Sequence, residues 1–190
     1  MDEDRVLDAV GRILSRDGLR GLNLSSIAEE ADLSRVTLHR RGSSVDDYVI
    51  AVIGRASDDL RASLWPVLTG ADDAATRLAS ALHTLCEVFE RHSGILAALY
   101  STRAWPIPSK PGRTTSLEFI EPFERLLLDG IADGSLASDD PRADATLVAN
   151  SVAWTYLHMR HAHRWPRQRT ADRTIAMATA LLRPIAPSAR

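Results

Sequence analysis

Val6, Leu7, Val10, Ile13 and Leu14 fall at the three- and four-residue spacing that lines one side of a helix, with Asp8, Arg12 and Arg16 opposite. The same period recurs along the chain, and no alternating run of β-branched residues long enough for a sheet interrupts it. Apolar stripes of this kind are buried by packing helix on helix, so the expected fold class is all-α. The 190 residues are enough for a substantial core, in one domain or in a small domain joined to a larger one. The lone Cys86 excludes a disulfide framework, and its setting in Leu82-His83-Thr84-Leu85-Cys86-Glu87-Val88 predicts a buried, inert thiol.

Local punctuation divides the helical pattern. Gly18 predicts the C-terminal stop of the first helix. Asn23 is the N-cap of a short second helix carrying Ile27, Ala28 and Ala31, which ends near Asp32, with Leu33 following as a core plug. Ser34 caps a third helix running to Arg40, and Gly42 closes it. Ser44 with Asp47 forms a capping-box pattern, Asp standing for Glu, and opens a fourth helix through Tyr48, Val49, Val52, Ile53 and Leu60. Pro66 and Gly70 are expected to end that segment. The remainder reads as five helices, roughly 72–91, 93–103, 116–133, 141–164 and 170–184. They are separated by the proline-rich stretch Trp105 to Gly112 and the turn Asp133-Gly134-Ser135. The expected architecture has about nine helices. Residues 1–48, with helix 45–64 as connector, are expected to form one domain, and 49–190 a second, helical one.

A net charge of −2 argues against non-specific coating of nucleic acid, yet residues 33–43 carry Arg35, His39, Arg40 and Arg41 and no acid. Three short helices with the turn Ala31-Asp32-Leu33-Ser34 between the second and third have the layout of a helix-turn-helix. In that motif the later helix enters the major groove. Only Leu38 is an obvious core residue of the third helix, which leaves Arg35, Thr37, His39 and Arg40 for a partner. On charge alone, a solvated helix end is the competing reading.

Val6-Leu7-Asp8-Ala9-Val10, Gly18, and the run from Leu24-Ser25-Ser26-Ile27-Ala28 through Ala31-Asp32-Leu33-Ser34-Arg35-Val36-Thr37-Leu38-His39 together resemble the DNA-binding signature of the TetR family of transcriptional regulators. The match covers about residues 5–50. The resemblance implies that Ser26, Arg35, Val36, Thr37, His39 and Arg40 face DNA, with Ser34 capping the recognition helix and Arg41 contributing a further cation. Thr37 is the candidate for a phosphate or thymine-methyl contact, Arg35 and Arg40 for guanine or backbone contacts. The sequence departs from the family pattern at Asp32, where Gly is usual, at His39, where Tyr is usual, at Gly42, where Phe is usual, and at Val45, where Lys is usual. The Tyr and Lys are customary phosphate contacts, for which His39, Arg40 and Arg41 are the replacements. Gly42 in place of an aromatic predicts different packing between the third and fourth helices.

No comparable motif marks the C-terminal two-thirds. Phe89, Tyr100, Trp105, Phe119, Phe123 and Trp154, with the polar Arg103, Asn150 and His158, are the candidate lining of an effector pocket, against the alternative of a filled core. His158, His161 and His163 lack the acidic or thiol partners that a zinc site needs within reach, so no metal and no cofactor is expected. Apolar stripes on the last two helices (Leu147, Val148, Val152 and Met159; Ile175, Ala178, Leu181, Leu182 and Ile185) carry small neighbours that permit close approach. The resemblance implies that this pair makes a homodimer, and a dyad would place two recognition helices about one DNA turn, ~34 Å, apart on a palindromic operator. The expected partners are double-stranded DNA and an unknown small molecule. The expected activity is a repressor released from its operator by that ligand.

An enzyme is disfavoured, because no nucleophile–base pair, metal-spaced carboxylate cluster or phosphate-cradling glycine loop is evident. A TetR-like module that has lost DNA binding and acts through a protein partner is the alternative that the departures at Gly42 and Val45 keep open. An acidic N-terminus, Met1-Asp2-Glu3-Asp4-Arg5, and no apolar run of about 18 residues predict a soluble, cytoplasmic protein without a membrane segment.

Overall fold

The computed structural model describes residues 2–40, 42–96 and 120–182. Among the described residues the secondary structure is helical: α1 (Asp2–Asp17), α2 (Leu24–Glu30), α3 (Arg35–Arg40), α4 (Val45–Leu68), α5 (Ala74–Arg91), α6 (Glu121–Asp133), α7 (Pro141–His161) and α8 (Arg167–Thr179), with short 3-10 turns at Leu19–Gly21 and Ala180–Leu182. The all-α expectation holds.

Contacts divide the described residues into two units, 2–59 with 91–96, and 60–90 with 120–182. In the first, α1 buries Val6, Val10 and Ile13 completely, the stripe that the sequence marks, against α2, which supplies Ile27 and Ala28. Tyr48, Val49, Val52 and Ile53 of α4 are buried in the same unit. The Tyr48 hydroxyl is buried with no hydrogen-bond partner among the described residues.

The stops and starts follow local chemistry. Gly18, at φ +65°, donates its N–H to the Leu14 carbonyl at 3.1 Å and ends α1. Ser44 Oγ accepts from Asp47 N at 3.2 Å while Asp47 Oδ2 accepts from Ser44 N at 3.0 Å, the reciprocal capping box that opens α4. One expected boundary is corrected: α4 runs through Pro66 to Leu68 instead of ending at about 64. Pro66 removes a single N–H in the last turn, where the helix has few further bonds to lose. Thr69 and Gly70 then close the turn on the carbonyls of Trp65 and Val67, each at 3.3 Å.

In the second unit α5 buries Leu78, Ala81, Leu82, Leu85, Cys86 and Phe89 on one side. α7 packs against both α6 and α8. The turn after α6 caps the start of α5: Asp133 Oδ2 accepts from Ala74 N at 3.0 Å and Ser135 Oγ from Ala75 N at 3.2 Å. Burial pushes the Cys86 thiol up to about 12, in keeping with the inert thiol expected. α8 begins at Arg167, three residues ahead of the expected start, with Pro166 at its N-cap.

Candidate nucleic-acid interface

The segment from Asn23 to Gly42 is built from caps. Asn23 Oδ1 accepts from Ser25 N and Ser26 N, each at 3.0 Å, and fixes the first turn of α2. α2 ends in a Schellman motif: Leu33 N donates to the Ala28 carbonyl at 2.9 Å and Asp32 N to the Glu29 carbonyl at 3.1 Å. The left-handed position of that motif is Asp32, at φ +53°, where glycine is the least strained residue. α1 holds the same end from outside. Arg5 donates to the Ala31 carbonyl at 2.9 Å, and Arg12 to the Glu30 carboxylate at 2.7 Å and carbonyl at 3.0 Å. Arg16 adds a 3.0 Å bond to Glu30, and these guanidinium bonds, Arg12 first, hold the Glu30 carboxyl below its usual range.

Ser34 then starts α3, its Oγ accepting from Thr37 N at 3.0 Å and lying 2.7 Å from Thr37 Oγ1. Leu38 is wholly buried and anchors the helix on α2. Arg35, Val36, Thr37, His39 and Arg40 are exposed, so five of the DNA-facing candidates share the outward side of one anchored helix. Ser26 differs. It is half-buried, its Oγ accepts from Asn23 N at 3.0 Å, and the same oxygen lies 2.8 Å from the Gly21 carbonyl, so its hydroxyl belongs to the cap of α2. Arg41 lies outside the described residues. Gly42, at φ +69° and exposed, occupies a left-handed turn after α3 that a bulky aromatic would enter only with strain.

The effector candidates separate. Phe89 and Phe123 are buried, and Trp154 meets Phe89 edge-on with ring centres 6.3 Å apart. Asn150 and His158 are exposed on α7; Asn150 bonds within its own helix, to the Thr146 carbonyl at 2.8 Å and from Trp154 Nε1 at 3.2 Å, and His158 stacks edge-on with His163 at 5.1 Å. Tyr100, Arg103, Trp105 and Phe119 lie outside the described residues. No group of three His, Cys, Asp or Glu suited to a metal occurs among the described residues. No described helix is long and apolar enough to cross a membrane.

No protein-family model matches the chain. No curated protein sequence matches it either. Solved structures do. A putative TetR-family regulator from Rhodococcus sp. superposes with a TM-score of 0.78 at 18% identity, over 95% of this chain and 98% of that one. The ketosteroid transcriptional regulator of Mycobacterium tuberculosis gives 0.75 at 17% identity, over 97% of this chain and 96% of that one. The repressor of a multidrug efflux pump of Stenotrophomonas maltophilia gives 0.70 at 16% identity, over 98% and 94%. The chain has the TetR-family fold.

Within this TetR fold two polar clusters escaped the sequence reading. Tyr156, fully buried on α7, donates its hydroxyl to Glu90 Oε2 at 2.7 Å, and Arg160 donates to the same oxygen at 2.9 Å and also to Glu90 Oε1. The Arg160 bonds hold Glu90 below the usual carboxylate range, while burial and the Glu90 charge push the Tyr156 phenol up. In the first unit, Asp59 of α4 receives two Arg91 bonds at 3.0 and 3.1 Å and stands 2.8 Å from His92 Nε2. The partners in each cluster lie more than thirty positions apart, so no local pattern marks them.

Proposed function

We propose that this protein is a sequence-specific DNA-binding transcriptional regulator, a repressor that grips a palindromic operator as a homodimer and releases it when a small molecule binds the C-terminal helices. The observation that carries the reading is α3 itself: a six-residue helix pinned by one buried leucine, with Arg35, Val36, Thr37, His39 and Arg40 exposed together. A solvated helix end would not need a capped α2, a Schellman turn and three α1 arginines to fix its entry angle. Guanidinium groups match both phosphate oxygens and guanine edges with paired bonds.

The dimer is supported by exposed apolar residues, Leu147 on α7, Met177 on α8 and Leu181 just beyond it. A groove of about 480 Å³ between the same two helices is lined by Met159, Arg173 and Met177, with Trp165 from their connection. Phe89, Phe123 and Trp154 are proposed for the effector site; Tyr100, Arg103, Trp105 and Phe119 lie outside the described residues. Asn150 and His158, on the exposed side of α7, are proposed for its polar rim. Two of the similar structures, a ketosteroid transcriptional regulator and the repressor of a multidrug efflux pump, support a role in transcriptional control. Release requires that the ligand bind the DNA-incompetent state more tightly than the other.

The deciding experiment is a salt titration of binding to the DNA flanking the gene, with Arg35→Ala and Arg40→Ala beside the parent. The parent protects a palindrome, and each substitution weakens binding by about 1–3 kcal/mol. Weak, salt-sensitive and sequence-blind attraction in all three proteins would instead support a module that acts through a protein partner.

A further inference from the structure

We propose that Val36 reads the 5-methyl group of a thymine in each half-site, an inference that rests on the DNA-binding reading above. The first turn of α3 carries four side chains near its tip: Ser34, Arg35, Val36 and Thr37. Two of them face each other. Ser34 Oγ takes the Thr37 N–H at 3.0 Å and lies 2.7 Å from Thr37 Oγ1, so both hydroxyls serve the helix start. What remains for a base edge is the Arg35 guanidinium, the Val36 isopropyl group and the γ-methyl of Thr37.

Val36 is 66% exposed, and every other exposed side chain between Ser34 and Arg40 is polar. Isopropyl offers no donor and no acceptor, so the only feature of a base edge that it can recognise is apolar. In the major groove that feature is the thymine methyl, since guanine, cytosine and adenine present only donors and acceptors there. β-branching holds Val36 in one strongly preferred rotamer on a helix, so its two methyls are set before contact and little side-chain freedom is lost on binding. The thymine contact thereby falls to Val36, whose side chain is wholly apolar, ahead of the γ-methyl of Thr37, whose hydroxyl is tied to Ser34.

The test uses the full chain. Duplexes retained from a random-sequence pool define the half-site, and each thymine in it is then replaced, one position at a time, by deoxyuridine, which deletes the methyl and keeps every donor and acceptor. Burying one carbon against apolar surface is worth about a fourfold change in affinity. The parent is therefore expected to bind one deoxyuridine duplex about three- to tenfold more weakly than its thymine counterpart. Val36→Ala, checked for an unchanged melting profile, is expected to bind the two forms alike. Thr37→Ser, which keeps the capping hydroxyl and removes a methyl, is expected to retain the parent's discrimination. The proposal is overturned if no thymine position is methyl-sensitive, or if Thr37→Ser abolishes the discrimination and Val36→Ala preserves it. Failure to retain any preferred duplex would instead strike at the DNA-binding reading on which the proposal stands.

Discussion

Asn23 and Ser26 cap each other: Ser26 N donates to Asn23 Oδ1 at 3.0 Å, and Asn23 N donates to Ser26 Oγ at 3.0 Å. The pair satisfies two backbone N–H groups that the start of α2 would otherwise leave open. Asn23→Ala is expected to lower stability by about 1 kcal/mol, and Asn23→Asp to preserve it. Urea unfolding of the three proteins checks the order. Because α2 seats α3, operator affinity should fall with Asn23→Ala although Asn23 itself is not proposed to touch DNA.

Asp32 offers the opposite opportunity. Its φ of +53° strains a residue with a Cβ, and its carboxylate sits at the C-terminal end of α2, where the helix dipole favours cations. The compensating ion pair with Arg5, at 3.5 Å between exposed groups, is of the kind that contributes little. Asp32→Gly is therefore expected to stabilise the fold by about 0.5–1 kcal/mol, seen as a rise in the urea midpoint.

What was legible in the sequence was local. Gly18, Asn23, Ser34, Gly42 and the Ser44–Asp47 box act within a few residues of themselves, and each stands at the boundary that its chemistry predicts. The apolar stripe of α1 and the buried Leu38 follow from helical period alone. Pro66 misled because proline near the end of a helix forfeits little, so α4 passes it. The cap role of Ser26 was not legible, because a hydroxyl at a helix start serves either a cap or a partner and the residue type does not say which. The Glu90 and Asp59 clusters were invisible for another reason: their partners meet only after the helices pack, and period and capping rules carry no information about that.

Asp59 shapes the response to acid. Its bonds from Arg91, with the His92 contact, hold the carboxyl at about 2, against an unfolded value of about 3.9. A carboxylate depressed in this way adds stability that is complete above the unfolded value and is lost as pH falls toward the folded one. The stability lost between about pH 4 and pH 2 should accordingly shrink in Asp59→Asn. Urea midpoints collected across that range test it, and parallel curves for the two proteins would contradict it.

Glu90 is the hub of the second cluster, so removing it is expected to cost more than removing one partner. Tyr156→Phe removes one hydroxyl and leaves Glu90 bonded to Arg160, for a loss of about 1 kcal/mol. Glu90→Ala strands a fully buried phenol and leaves Arg160 with only its 2.6 Å bond to the Trp165 carbonyl of those described, for a loss of about 3 kcal/mol. The double variant should be less unstable than the sum, because the phenol that Glu90→Ala orphans is already gone. Strict additivity in a denaturant cycle would mean that the hydroxyl and the carboxylate do not cooperate.

The proposed dimer makes a mass prediction. Leu147 on α7, Met177 on α8 and Leu181 just beyond it are 63, 61 and 89% exposed in the isolated chain. A stable pairing covers about 800 Å² on each partner and draws its strength from a few such side chains near the centre. The parent is expected to sediment at twice its 20.8 kDa chain mass. Leu147→Glu with Met177→Glu, which adds like charges to both copies across a dyad, is expected to sediment as a monomer with its helical content intact. Palindrome protection should weaken in the same variant, because separated recognition helices no longer share one binding event. A charged variant that stays dimeric would move the interface away from α7 and α8.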